Sequence, residues 1–218
     1  MVSMQICIDY LNQKSCSIIS EKTFDESKYT IFIEVEDNKL YLLKEGECIK
    51  EYPVGTGKKE SPSPIGYWKI IYKSKWGEGF GGNWMGLNVP WGKYGIHGTT
   101  KPGSIGWPSS HGCIRMYNKD VEELYGIVPH GTRVVIVNGS FGPFGSGFKN
   151  IEPGDRGADV MEVQRRLLDL GYYNAYVDGI YGEGMKYAVH KFQKENGLVV
   201  KNAVTKKDLE FMGFLEFE

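Results

Sequence analysis

The sequence has no run of about 18 apolar residues, the length that a helix needs to cross a bilayer. It has no excess of either charge, because 26 Lys and Arg stand against 27 Asp and Glu and give a net charge of -1. It also has no phosphate-binding loop, nucleotide fingerprint or strip of basic and aromatic residues. We therefore expect no transmembrane segment and no nucleic-acid partner, and a neutral or mixed-charge ligand suits this balance.

The first twenty residues do not have the form of a secretory signal. Early basic residues are missing, and Asp9, Asn12 and Lys14 interrupt the apolar stretch that a signal requires. The sequence therefore predicts no signal peptide in this chain. We assign residues 1–28 to an N-terminal segment whose role the sequence leaves open.

Cysteine is scarce, with four residues at positions 7, 16, 48 and 113. Cys48 lies in an alternating apolar segment, which predicts a buried strand residue. Cys7 and Cys16 could form a bridge in an oxidising compartment, but sequence does not establish the geometry that a disulfide requires. We treat both as free thiols.

Cys113 lies in residues 110–116 (SHGCIRM), and residues 96–99 (IHGT) precede it. An ordinary thiol with a pKa of about 8.5 is mostly protonated at pH 7, so a nucleophilic cysteine needs a base or a positive field. His97 or His111 could supply it. Prolines and glycines between the two segments break regular structure and let the chain fold back. The sequence therefore predicts that a histidine meets Cys113 in space.

The same three side chains, His97, His111 and Cys113, are also ligand types for zinc. Structural zinc sites usually take four ligands in short paired spacings, and this region offers no fourth ligand. We expect no metal and no organic cofactor.

Residues 29–138 have the pattern of a mainly β domain, with a strand meander over 29–54 and further strands at 68–72 and 133–138. Asn118 is placed to cap a short helix that runs through Tyr125. Residues 73–94 read as a long flexible connection because they combine six glycines with Trp76, Trp84 and Trp91. These tryptophans either cover a pocket or pack on the core of their own domain.

Residues 139–150 are rich in glycine and read as a linker, although two phenylalanines indicate partial docking on one domain. Residues 151–218 predict three helices. Apolar residues at helical spacing predict the first two helices. The first helix contains Val160, Val163, Leu167 and Leu170, and the second contains Ala188, Val189 and Phe192. Thr205 and Asp208 have the spacing of an N-terminal cap for the third, with Leu209 and Met212 facing inward.

The two motifs around His97 and Cys113, with residues 61–68 (SPSPIGYW), resemble the catalytic domain of bacterial L,D-transpeptidases, which cross-link peptidoglycan. The resemblance covers roughly residues 29–138. It implies a β-sandwich with a short helix. It also implies that Cys113 is the nucleophile, that His97 is its base, and that the carbonyl of Gly98 holds the His97 ring.

The remaining residues of the motif are expected to serve the oxyanion, the pocket or the loop around Cys113. We expect the amides of Gly112 and Cys113 to point at a developing oxyanion, because Gly112 lets a substrate carbonyl approach the backbone. His111 either tunes the field at the thiolate or shapes the pocket. Arg115 either orders the loop or binds a carboxylate of the stem peptide. Ser110 is expected to form hydrogen bonds within the loop.

The C-terminal helices resemble a three-helix peptidoglycan-binding domain. Met185 and Lys201-Asn202 depart from that family's pattern, which affects stability or affinity, and a module that contacts a protein partner is the alternative. The resemblance is carried by residues 154–157 (GDRG), 163–167 (VQRRL), 171–173 (GYY), 177–182 (VDGIYG) and 188–193 (AVHKFQ).

Together the resemblances imply an L,D-transpeptidase that releases D-alanine from tetrapeptide stems through a thioester and forms 3-3 cross-links. An L,D-carboxypeptidase that uses the same thioester is one alternative, and a non-catalytic wall-binding protein is another. We expect a monomer that works on peptidoglycan in the bacterial cell wall or outside the cytoplasm, with spore formation as one route there.

Overall fold

The computed structural model describes residues 28–77, 81–145 and 147–214. The N-terminal segment, with Cys7 and Cys16, lies outside the described residues. The strands are β1 Tyr29–Glu34, β2 Lys39–Lys44, β3 Glu47–Pro53, β4 Thr56–Gly57, β5 Gly66–Lys75, β6 Asn83–Leu87, β7 Gly95–His97, β8 Pro108–Ser110, β9 Ile114–Arg115 and β10 Arg133–Val137. The α-helices are α1 Asn118–Ile127, α2 Ala158–Asp169, α3 Glu183–Glu195 and α4 Lys206–Phe211.

Eight strands form one curled sheet in the order β3-β2-β1-β10-β5-β6-β7-β9, and β4 pairs with β8 in a small second sheet. Strand β5 belongs to both halves of the curl. Its first residues, from Gly66 to Lys69, pair with β10, and residues from Ile70 to Lys75 pair with β6. The prediction of a mainly β domain followed by a small helical module is confirmed.

The core of the β domain follows from alternation along its strands. Ile31 and Ile33 of β1 and Leu40 and Leu42 of β2 have no exposed surface, because residues two apart on a strand face the same side of the sheet. Helix α1 adds Val121 and Leu124 to the same cluster. This packing fixes the strands that carry the two motifs.

The prediction of a flexible connection over residues 73–94 is wrong. Strand β5 continues to Lys75, and all five residues of β6 are buried. The glycines there make room for indoles: a Cβ added at Gly86 would lie 3.0 Å from Nε1 of Trp84, and one added at Gly95 would lie 2.6 Å from Cζ2 of Trp84. Glycine therefore marks close packing at these positions.

Two burial predictions are also wrong. Cys48 is exposed because β3 is the outermost strand of the sheet and a register shift interrupts its pairing with β2 beside Leu43. Leu170 is exposed because α2 ends at Asp169, before Leu170 can complete the inward-facing stripe.

The helical module has its own core of residues from α2, α3 and α4, including Val163, Phe192 and Leu209. The predicted cap of the third helix is confirmed. Thr205 Oγ1 accepts from the amide of Asp208, and the Asp208 carboxylate accepts from the amide of Thr205 at 2.7 Å.

The segment between the β domain and the module packs on the module. The ring of Phe144 lies 5.2 Å from that of Phe148 and 4.9 Å from that of Phe214. Met161 of α2, in turn, is buried in the same cluster as Trp91 of the β domain. In the ranges that the structure describes, no helix has the length and apolar character to cross a membrane.

Candidate active site

The pairing of β7 with β9 brings the two sequence motifs together. These strands run parallel, with Ile96 opposite Ile114 and His97 opposite Arg115. The same register puts Cys113, which directly precedes β9, opposite Gly95. Because Gly95 is two residues before His97 on β7, the side chains of Cys113 and His97 lie on the same face of the sheet. Strand geometry puts the Cα atoms of His97 and Cys113 about 8 Å apart, so their side chains extend into one space.

His97 is held in one tautomer. It is 6% exposed, and its Nδ1 lies 2.5 Å from the carbonyl oxygen of Gly98. Because a carbonyl only accepts hydrogen bonds, Nδ1 carries the proton and Nε2 of the neutral ring is left as an acceptor. Burial lowers the pKa of His97, the Gly98 carbonyl opposes this, and the charge of Arg115 adds to the lowering.

Trp84 stacks on this imidazole, and the sequence analysis did not anticipate it. Trp84 is the cross-strand neighbour of His97. The two ring centroids are 5.4 Å apart with an interplanar angle of 28°, and Trp76 stacks on the far side of Trp84 at 4.8 Å. The His97 ring is therefore held on one side by an aromatic stack and at Nδ1 by a carbonyl.

Asn118 has a different role from the predicted helix cap. Tyr117 occupies the N-cap position of α1, and the Asn118 side chain makes no capping bond. Its Oδ1 instead accepts from the amide of Thr99 at 2.8 Å. A Cβ added at Gly98 would lie 2.6 Å from this Oδ1 and 2.8 Å from the Gly81 carbonyl oxygen. Asn118 thus fixes the segment whose carbonyl holds His97.

The loop before Cys113 is ordered by Ser110. Its Oγ donates to the Cys113 carbonyl at 2.6 Å and accepts from the amide of Gly112 at 2.9 Å. Gly112 has a φ of +107°, which favours glycine. Ser110 Oγ accepts the Gly112 amide hydrogen in this structure, and the role of that amide at an oxyanion stays a prediction.

Burial dominates the titration of the Cys113 thiol. It raises the pKa, whereas a hydrogen bond from the Gly95 amide and the charge of Arg115 lower it. Sγ also lies 4.0 Å from the carbonyl oxygen of Lys93. Burial thus raises the pKa of Cys113 and lowers that of His97, which favours the neutral form of both groups, so formation of the thiolate calls for proton transfer to a base.

Arg115 lies at the edge of this site. Its amide and carbonyl both pair with Gly55 at 2.8 Å, and Nη1 donates to the carbonyl of Ser109 at 3.4 Å. These contacts tie β9 to the loop in front of Cys113. His111, by contrast, is exposed.

Tyr94 forms a wall of the site that the sequence analysis also missed. A Cβ added at Gly112 would lie 2.5 Å from Cε1 of Tyr94. Burial raises the pKa of Tyr94, a hydrogen bond from Trp91 lowers it, and Cys113 raises it further. Tyr94 stands two residues before the IHGT motif in residues 94–99 (YGIHGT), and this position is the signal that could have indicated it.

Among the residues that the structure describes, no group of three or more His, Cys, Asp and Glu side chains is arranged to hold a metal ion. The arrangement is that of a half-buried thiol and an oriented imidazole on the same face of a curled β-sheet, and such a pair can perform acyl transfer.

Comparison with known proteins agrees with this class. Residues 28–136 match the L,D-transpeptidase catalytic domain, and residues 156–201 match a peptidoglycan-binding domain. The chain therefore belongs to the L,D-transpeptidase family of enzymes and carries a peptidoglycan-binding domain after its catalytic domain.

Individual relatives cover the two parts separately. The L,D-transpeptidase YkuD of Bacillus subtilis is 44% identical over 109 residues, which are 50% of this chain and 65% of that protein. The spore cortex-lytic enzyme of B. subtilis is 49% identical over 55 residues, which are 24% of this chain and 18% of that protein. The catalytic domain of an Enterococcus faecium L,D-transpeptidase aligns with a TM-score of 0.44 at 25% identity and covers 51% of this chain and 98% of that domain.

Proposed function

We propose that this protein forms 3-3 cross-links in peptidoglycan, with Cys113 as nucleophile and His97 as general acid and base. The observation that carries the proposal is the His97 tautomer. Its Nδ1–H donates to the Gly98 carbonyl, which makes Nε2 the proton-accepting nitrogen of the ring. The register of β7 with β9 supports Cys113 as the donor of that proton, because it puts both side chains on one face of the sheet.

In the first step, Sγ of Cys113 attacks the carbonyl carbon of the L-configured centre of a tetrapeptide stem, as the thiol proton passes to His97. The tetrahedral intermediate collapses, the amide bond to the terminal D-alanine breaks, and His97 returns the proton to the leaving amine. A thioester remains on Cys113. Because burial disfavours the charged form of both groups, we assign His97 to take the thiol proton during the attack.

In the second step, the side-chain amine of the diamino acid on a neighbouring stem attacks the thioester carbon. His97 accepts the proton that the amine loses, a new amide bond forms, and the Cys113 sulfur leaves and regains its proton. The Cys113 amide is assigned to the oxyanion in both steps, because Ser110 accepts the hydrogen of the Gly112 amide.

The helical module is assigned to the polymer. Residues 156–201 match a peptidoglycan-binding domain, and a module that stays bound to the glycan raises the concentration of stems at the attached catalytic domain. We assign the site of action to the bacterial cell wall.

Product analysis tests the reaction. The wild-type protein is incubated with a purified disaccharide-tetrapeptide, and His97→Asn is compared with His130→Asn. His130 is an exposed histidine whose Nε2–H donates to the Ile71 carbonyl at 2.9 Å. Dimer and free D-alanine from wild type and His130→Asn, and neither from His97→Asn, support the proposal. Tripeptide and D-alanine without dimer identify an L,D-carboxypeptidase instead. Unchanged substrate with wild type contradicts catalysis.

A further inference from the structure

The helical module contacts the β domain at Trp91, close to the site. Trp91 is 7% exposed and lies in the β-domain cluster together with Met161 of α2, against which Val177 and Ile180 also pack. A Cβ added at Gly179 would lie 2.4 Å from Cε3 of Trp91. The indole of Trp91 therefore rests directly on the backbone of the module.

Trp91 also contacts Tyr94, the wall of the thiol site. Their ring centroids are 6.4 Å apart at an interplanar angle of 69°, and a hydrogen bond from Trp91 acts on the Tyr94 hydroxyl. On its other side Trp91 meets Trp68 edge-on at 5.2 Å. The indole thus has fixed neighbours on both sides, so a displacement at the module side is passed to Tyr94.

The Tyr94 ring in turn lies on Gly112, where no side chain could fit. The carbonyl of Lys93 and the amide of Gly95, the two residues that flank Tyr94, both face the Cys113 sulfur. The contacts run without a gap from Gly179 of the module through Trp91 and Tyr94 to Gly112 and Cys113.

We propose that Trp91 is a positioning residue through which the peptidoglycan-binding module sets the place of Tyr94 over Gly112 and Cys113, and so the rate at which Cys113 is acylated. The inference rests on the proposed role of Cys113 as nucleophile. The module then does more than hold the enzyme on its polymer, because its presence against Trp91 completes the wall of the acylation site.

Two glycine variants of the full chain test this contact. Gly179 and Gly197 both have a φ of +69°, so alanine brings the same backbone strain at each position. Only Gly179→Ala places a methyl group into Trp91, since no described atom lies within 4 Å of a Cβ at Gly197. Gly197→Ala is therefore the control for the backbone strain at positive φ. A Cβ at Gly179 also lies 3.0 Å from the Gly157 carbonyl oxygen inside the module, and the double-mutant cycle with Tyr94 separates that contact from the one with Trp91.

The measured quantity is the second-order rate constant for covalent modification of Cys113 by a carbapenem, read by mass spectrometry with peptide mapping. Carbapenem is small and needs no glycan contact, so polymer binding does not enter the result. We expect Gly179→Ala to lower the rate about tenfold or more, since misplacement by a fraction of an ångström has effects of that size. Gly197→Ala should stay within about twofold of wild type.

A double-mutant cycle separates positioning from general damage. If the effect passes through Tyr94, Gly179→Ala lowers the rate in the wild-type background and has no further effect in a Tyr94→Ala background. Trp91→Phe, which removes the indole N–H and draws the ring back from Gly179, should show the same dependence on Tyr94. This variant keeps the test available if Gly179→Ala does not fold.

The pH profile of acylation gives a second readout. Cys113 is faced by Tyr94, by the Gly95 amide and by the charge of Arg115. If the Tyr94 wall moves, water reaches the thiol and its raised pKa falls toward the ordinary value, so the profile of Gly179→Ala shifts to lower pH. Equal rates and equal profiles for the two glycine variants overturn the inference. If wild-type Cys113 is not acylated at all, the proposed nucleophile fails instead.

Discussion

Removal of the Asn118 side chain should lower both the stability of the protein and the rate of Cys113 acylation, although Asn118 is not itself assigned a catalytic role. Asn118 Oδ1 accepts from the amide of Thr99 at 2.8 Å, and Thr99 is 8% exposed. In Asn118→Ala this buried amide loses its acceptor, and the Gly98 carbonyl beside it loses a constraint. His97 depends on that carbonyl for its tautomer, so we expect both stability and acylation to fall.

The magnitude follows from the exposure of the two partners. An unsatisfied buried donor costs about 1–3 kcal/mol. The lower end applies here because Asn118 itself is exposed and water can reach part of the vacated space. Alanine recovers about 0.5 kcal/mol as the better helix former at the start of α1. The net loss is about 0.5 kcal/mol, which corresponds to about 1–2 °C in Tm for a protein of this size.

Two controls isolate the hydrogen bond. Asn118→Asp keeps an acceptor in the same place and suits the N-terminus of a helix, so it should stay near wild type. Lys119→Ala changes an exposed neighbour in the same helix turn and reports helix propensity alone. Urea unfolding and the rate of carbapenem acylation are measured for all three variants. Wild-type acylation in Asn118→Ala, or an equal loss in Asn118→Asp, would refute the reasoning.

Four further predictions concern the site itself. Because burial lowers the pKa of His97, the unfolded chain binds a proton first, so the stability of wild type relative to His97→Asn falls as pH falls below about 6.5. Because burial raises the pKa of Cys113, the thiol loses its proton at a lower pH in the unfolded chain than in the folded one. The stability of wild type relative to Cys113→Ser therefore falls as pH rises above about 8.5. Urea unfolding from acid to alkaline pH checks both predictions, and a stability difference that does not change with pH would contradict them. Gly112→Ala combines a φ of +107° with a Cβ 2.5 Å from the Tyr94 ring, so the rate of carbapenem acylation should drop by more than about tenfold. Gly106→Ala is the control, because Gly106 also has a positive φ but no described atom lies within 4 Å of its Cβ. This variant should retain the wild-type rate. Trp84→Leu removes the ring stacked on His97, so NMR titration should show the pKa of His97 moving up toward its ordinary value; an unchanged pKa would show that the stack does not shield the ring.

Local sequence was sufficient for features that depend on near neighbours. The capping box of Thr205 and Asp208 spans three residues, and the inward stripe of α2 follows from helical period up to Leu167. The two motifs of the site were also evident, because His97 and Cys113 each lie in a short segment of characteristic sequence, residues 96–99 and 110–116. The domain boundaries and the catalytic roles remain predictions.

Features that depend on distant contacts were missed or misread. Trp84 reaches His97 only through the pairing of β6 with β7, and Asn118 bonds to Thr99, nineteen residues away. Gly86 belonged to the segment that was predicted to be flexible, whereas it makes room for the indole of Trp84. The exposure of Cys48 depends on its place in the outermost strand, which alternation along one segment cannot reveal.

The proposed mechanism requires that Cys113 carries the acyl group as a thioester, and trapping this thioester is the direct test. Wild type and Cys113→Ala are mixed with purified disaccharide-tetrapeptide, quenched in acid within the first turnovers, and examined by intact-protein mass and peptide mapping. The account predicts an adduct on Cys113 equal to the donor less D-alanine, and no adduct on Cys113→Ala. Release of D-alanine by Cys113→Ala, or an adduct on another residue of the wild type, would contradict it.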